Sequence, residues 1–124
     1  MTDLSPNCLL LVEDDPLVRL TVAMLMEDYG FRVSQAATAE EAISVMEGGL
    51  DAPVLVTDVD LGAGLTGPQL VDHLRKQWPE LLVVFITGRP ASLGSRPVGP
   101  HEAMLPKPFE AGALAALVQR MVAS

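Results

Sequence analysis

Val54-Leu55-Val56-Thr57-Asp58 is a short apolar run that ends in a carboxylate, and Leu9-Leu10-Leu11-Val12 ends in the same way, in Glu13-Asp14-Asp15. Runs this short, rich in leucine and β-branched residues and bounded by turn signals, read as strands buried on both faces, the mark of a parallel sheet. Two such strands that each end in acids place those acids on one edge of the sheet. Open α/β sheets bind their ligands at that carboxyl edge, so one acidic pocket is expected.

Outward from these two runs, strand and helix alternate along the chain. The first strand covers about Cys8 to Val12. A helix then opens with Asp15 as N-cap and Pro16 in the first helical position and stops at Gly30. Leu17, Leu20, Met24 and Leu25 are expected to form its buried stripe. Phe31 to Gln35 reads as the second strand, and Thr38 with Glu41 has capping-box spacing for a helix that runs to about Glu47, before Gly48-Gly49. After the third strand and a glycine-rich loop, a helix of about Gly67 to Gln77 carries Leu70, Val71 and Leu74 and ends at Trp78-Pro79. Leu81 to Ile86 is the most apolar strand, as a central one should be, and Glu110 to Val122 is an amphipathic last helix. The alternation fails only between Gly88 and Glu102. Pro90, Pro97, Pro100, Gly94 and Gly99 fall there with no apolar helical stripe, so a regular helix between the fourth and fifth strands is not expected. That segment reads either as an irregular cover over the strand edge or as a segment that folds on a partner.

Composition narrows the function. With 124 residues and 49% apolar content, the chain is expected to form one domain over residues 1–124, too short for two cores. A net charge of -8 and a pI near 4.5 argue against nucleic acid and against anionic membrane surfaces, and suit a cation site. No apolar stretch approaches the roughly 18 residues needed to span a bilayer, and Met1-Thr2-Asp3-Leu4-Ser5 lacks the features of a signal peptide, so a cytoplasmic location is expected. The single cysteine, Cys8, opens an apolar strand and reads as a core thiol. Trp78, Tyr29, Met24, Met26 and Met46 read as packing residues, and His73 and His101 have no metal-ligand spacing.

Four features fall at strand carboxyl ends: the Glu13-Asp14 pair, Asp58, Thr87, and Lys107 in Leu105-Pro106-Lys107-Pro108-Phe109. Each alone reads more readily as a solvated strand end, a cap, a strand-end hydroxyl or a surface charge. As an ordered set, each member after its own apolar run, the pattern resembles the receiver domains of two-component response regulators over nearly the whole chain. The resemblance implies a doubly wound, five-stranded parallel sheet of order 2-1-3-4-5. It also implies that Asp58 accepts a phosphoryl group from a histidine kinase or a histidine phosphotransfer protein. Glu13, Asp14, Asp58 and the backbone carbonyl of Asp60 would hold Mg2+, and Thr87 and Lys107 would each contact a phosphoryl oxygen. Physical chemistry agrees, because a carboxylate that attacks a phosphoryl group rich in negative charge needs a hard cation to offset the repulsion. A cis bond is implied at Lys107-Pro108, and Val18 and Phe109 match positions where family members dock the histidine donor.

The chain also departs from the family pattern. Met104 stands three residues before the lysine, where many receivers have the Tyr or Phe that couples site to output face. With the missing helix, this implies an unusual output surface, with the 88–102 segment itself as the switch element. Asp60 and Arg89 each lie two residues beyond a site residue, carry opposite charges, and are expected either to pair over the site and slow hydrolysis or to be two solvated loop charges. The resemblance implies a chain that is not an enzyme acting on a separate substrate but one that catalyses its own aspartyl phosphorylation and dephosphorylation. It would signal by contact with an output protein of unknown identity, as a stand-alone receiver or as one cut from a longer hybrid kinase. Two alternatives compete. One is a pseudo-receiver that binds partners without phosphorylation. The other is a haloacid-dehalogenase-type phosphatase built on Asp58-Val59-Asp60, although there the nucleophile strand would precede the metal-binding acids.

Overall fold

The computed structural model describes residues 7–88 and 99–123. In chain order it contains β1 (Cys8–Val12), α1 (Pro16–Asp28), β2 (Arg32–Ala36), α2 (Ala39–Glu47), β3 (Val54–Asp58), α3 (Gly67–Arg75), β4 (Leu82–Thr87), β5 (Glu102–Pro106) and α4 (Ala111–Ala123). The strands form one sheet of order β2-β1-β3-β4-β5, and every neighbouring pair is parallel, as expected. The expectations for a helix between β4 and β5 and for Arg89 concern residues 89–98 and lie outside the described residues.

The apolar runs are continuous because both faces of the sheet are covered. Side chains alternate across the strands, so Leu10, Val12, Leu55, Val83 and Phe85 face one layer with Ala42 and Met46 of α2 and Leu70, Val71 and Leu74 of α3. Leu9, Leu11, Val54, Val56, Val84 and Ile86 face the other, with Ala23 and Met26 of α1 and Leu114, Ala115 and Val118 of α4. Cys8 and Trp78 are partly buried against the first layer.

The caps follow the sequence closely. Asp15 Oδ1 accepts from the amides of Leu17 (3.0 Å) and Val18 (3.2 Å) at the start of α1. Thr38 Oγ1 accepts from Glu41 N at 3.0 Å, although the Glu41 carboxylate returns to Ala37 N rather than to the cap residue itself. Thr66 and Gln69 make a complete capping box at α3.

The buried stripe of α1 is corrected. Leu17 is 73% exposed and Met24 57%, with Leu20 and Leu25 also exposed; Ala23 and Met26 are the residues turned into the core. Both sets have helical spacing in a helix that is apolar on several sides, so periodicity alone does not choose between them. The small Ala23 lets the helix sit close to the sheet, while Arg19 reaches back to the Glu13 carbonyl (3.0 Å). The expectation of packing roles for Met24 and Tyr29 is corrected likewise: both are exposed, whereas Met26 and Met46 are buried.

Candidate functional site: an acidic pocket at the switch point

Strand order reverses between β1 and β3, which are adjacent in the sheet but separated in sequence by β2, and the carboxyl ends of these two strands open a crevice there. Register decides who meets in it. Val12 lies opposite Thr57, so the next residues, Glu13 and Asp58, emerge side by side. On the far side Asp58 pairs with Ile86 and Thr87 with Pro106, which delivers Thr87 and Lys107 to the same edge. The Lys107 amide donates to the Thr87 carbonyl (2.8 Å), and the Lys107-Pro108 bond is cis.

The side chains converge. Lys107 Nζ is 2.8 Å from Asp58 Oδ2 and 3.3 Å from Glu13 Oε1. The other Asp58 oxygen, Oδ1, accepts from the amide of Asp60 (3.3 Å), and Glu13 Oε2 accepts from the amide of Asp15 (3.2 Å). Glu13, Asp58 and Thr87 are buried, whereas Asp14 and Asp60 are exposed. Burial, the largest influence, and the neighbouring Asp58 charge push Glu13 up to about 7, against the pull of the Asp15 amide and Lys107. Burial alone would lower Lys107, but its hydrogen bond to Asp58 and the charges of Asp58 and Glu13 outweigh this and raise it.

Oxygens of Glu13, Asp14 and Asp58 all lie within 4.8 Å of one another, so the cluster offers three hard donors and no soft one, the donor chemistry of an oxygen-seeking divalent cation. Crowded carboxylates of which one is pushed toward neutrality are also the arrangement that added positive charge relieves. The Asp60 side chain is not in that cluster.

Three participants near the site were not anticipated. Gly67, at the start of α3, packs its backbone against Asp58, and a Cβ there would overlap the Asp58 carbonyl oxygen. Gly62, in the left-handed region (φ +77°), lies beside Asp14. Glu40 of α2 accepts from Leu65 N (3.2 Å) in the loop after β3. Only Gly67 had a sequence signal, its place just after Thr66 in a capping-box pattern. Val18 and Phe109 line the same apolar groove, of about 540 Å3, with Val22, Leu25 and Pro108, and it reaches Lys107. Met104 lies opposite Phe85 and packs against the first layer. His73 is exposed, 3.7 Å from Glu47, and His101 uses its backbone carbonyl to accept from Val83 N (2.9 Å).

Fold and site together define a doubly wound α/β domain with an acid-and-lysine pocket at its topological switch point. The model of the response regulator receiver domain matches residues 9–119, and the chain belongs to that family, a part of two-component signalling. Sensor kinase CckA of Brucella abortus (strain 2308) is 34% identical over 98% of this chain, which spans only 13% of that protein. Response regulator Rre1 of Synechocystis (strain ATCC 27184 / PCC 6803 / Kazusa) is 37% identical over 95% of this chain and 52% of its own length. Among solved structures, the receiver domain of hybrid histidine kinase CckA superposes with a TM-score of 0.77 at 31% identity, over 93% of this chain and 98% of that one. Among the described residues no helix is long and apolar enough to cross a membrane.

Proposed function

We propose that this chain is a phosphoacceptor: it takes a phosphoryl group from a phosphohistidine, on a histidine kinase or a histidine phosphotransfer protein, onto Asp58. The observation that carries this reading is the position of Lys107 Nζ, shared between Asp58 Oδ2 and Glu13 Oε1 in a buried acidic pocket. Glu13, Asp14, Asp58 and the Asp60 carbonyl would hold Mg2+, which when bound supplies positive charge against the phosphoryl oxygens.

The protein's own groups do the rest. A carboxylate oxygen of Asp58 attacks phosphorus as the phosphorus–nitrogen bond to the donor imidazole breaks, and the imidazole leaves with the bonding electron pair. Lys107 now holds the Asp58 carboxylate in place. Once that oxygen carries the phosphoryl group as an acyl phosphate, charge moves to the phosphoryl oxygens, and Lys107 follows it to one of them while the Thr87 hydroxyl takes another. Water later attacks phosphorus, the bond to the Asp58 oxygen breaks, and inorganic phosphate leaves with the carboxylate restored. The groove between Val18 and Phe109, with the exposed apolar residues of α1, suits a donor that docks by protein contact next to Lys107. This chemistry belongs in the cytoplasm, and the output passes to another protein.

Intact-mass measurement with acetyl phosphate and Mg2+ tests the proposal. One phosphoryl adduct is expected on the native chain, dependent on metal and lost in Asp58→Asn. An adduct that persists in Asp58→Asn would move the acceptor elsewhere, and no adduct under any condition would favour a pseudo-receiver.

A further inference from the structure

The loop from Val59 to Thr66 joins β3 to α3 and borders the pocket, with the Asp60 amide on Asp58 and Gly62 beside Asp14. Its start is held at the site, where the Asp60 amide donates to Asp58 Oδ1 (3.3 Å). Its end is held by the Gly67 amide on the Val59 carbonyl (2.9 Å) and by the Thr66–Gln69 capping box. The middle contains two residues in the left-handed region, Gly62 (φ +77°) and Gly64 (φ +86°), a backbone that glycine adopts readily and that does not hold itself rigid.

Two acidic side chains close on that middle segment. Asp14 Oδ2 lies 3.4 Å from the place a Cβ of Gly62 would occupy. Glu40, in the first turn of α2, accepts the Leu65 amide (3.2 Å), and both its carboxylate oxygens lie 2.9 Å from where a Cβ of Gly64 would be. Glu40 comes from a different crossover and is 25 residues from Leu65, so it ties the loop to the neighbouring helix rather than to its own strand.

Resting on the phosphoacceptor reading above, we propose that Glu40 is a positioning residue for the cation site: by gripping Leu65 N and the open flank of Gly64 it holds the 59–66 loop down, so that Asp60 and Gly62 stay beside Asp58 and Asp14. Without it the glycine-rich segment gains conformations in which the Asp60 carbonyl is not presented, and cation binding must then overcome that freedom. Glu40 touches no reacting atom and acts only through the loop.

The test uses the full chain and two readouts, amide hydrogen exchange at Leu65 and the Mg2+ dissociation constant by calorimetry, without phosphorylation. Glu40→Ala is expected to speed Leu65 exchange and to weaken Mg2+ binding by about fivefold, the scale of one hydrogen bond. Glu40→Gln keeps an acceptor oxygen in place and is expected to recover most of both. Glu41→Ala loosens the start of α2 without touching the loop and is expected to lower stability while leaving the Mg2+ constant unchanged. Faster Leu65 exchange in Glu40→Ala with unaltered Mg2+ affinity would overturn the positioning role, and unchanged exchange would overturn the tether itself. A native chain that binds no Mg2+ would overturn the phosphoacceptor reading, and the positioning role with it.

Discussion

Replacing Gly67 by alanine tests how tightly α3 is built onto the backbone of Asp58. The added Cβ would overlap the Asp58 carbonyl oxygen and lie 3.1 Å from Val59 Cα, with only backbone on the receiving side, so no side chain can swing away. The start of α3 must retreat, which strains a buried position at about 1–3 kcal/mol and weakens the Gly67–Val59 hydrogen bond (2.9 Å), about 1 kcal/mol more. The sum is about 3 kcal/mol, which at a urea dependence of about 2 kcal/mol per molar lowers the unfolding midpoint by about 1.5 M. Gly112→Ala is the matched control. There the Cβ would meet the hydroxyl of Tyr29 at 2.9 Å, but that side chain is exposed and can move, and alanine favours the helix, so the midpoint should hold or rise. A Gly67→Ala midpoint within about 0.3 M of the native one would refute the close-packing argument.

Glu13 links stability to pH. Its carboxyl is raised from the ordinary 4.5 to about 7, chiefly by burial, so its contribution to metal-free stability is complete below about 4.5 and is lost as pH rises through about 7. Urea midpoints of the native chain and Glu13→Gln across that range should diverge in this sense, and parallel curves would show that Glu13 titrates normally. Because a cation takes the deprotonated carboxylate, Mg2+ affinity should climb as pH approaches 7 and level off above it; a flat profile in calorimetry would exclude Glu13 from the site. Lys107→Ala removes the ammonium that pulls Glu13 down, so Glu13 should titrate above its present value of about 7 in carbon-13 NMR, and an unmoved titration would mean that the 3.3 Å pairing is absent in solution.

Much of the site was legible because its residues follow strands whose apolar runs are unambiguous. Thr87 and Lys107 terminate such runs, and the acidic pair and Asp58 do the same, so their convergence follows once the sheet is parallel and its order is known. The order itself came by resemblance and not from periodicity. Helix α1 misled for the opposite reason: Leu17, Leu20 and Met24 look like a core stripe, yet Ala23 and Met26 face the sheet. Glu40 gave no local sign, since a first-turn glutamate is ordinary helix chemistry and its partner lies in another crossover.

By itself the sequence determined the strands, the helix starts at Asp15 and Thr38, the acids and hydroxyl that end the strands, and the Lys107-Pro108 pair, because hydrophobic runs, caps and strand ends are local properties of the chain. Tertiary structure decided which face of α1 is buried, how far Glu13 is desolvated, that Lys107 reaches across 94 residues of chain to Glu13, and that Glu40 accepts the Leu65 amide 25 residues away. Each of these depends on the distance and dielectric between groups remote in sequence, and those exist only after the sheet has brought its strands together in register.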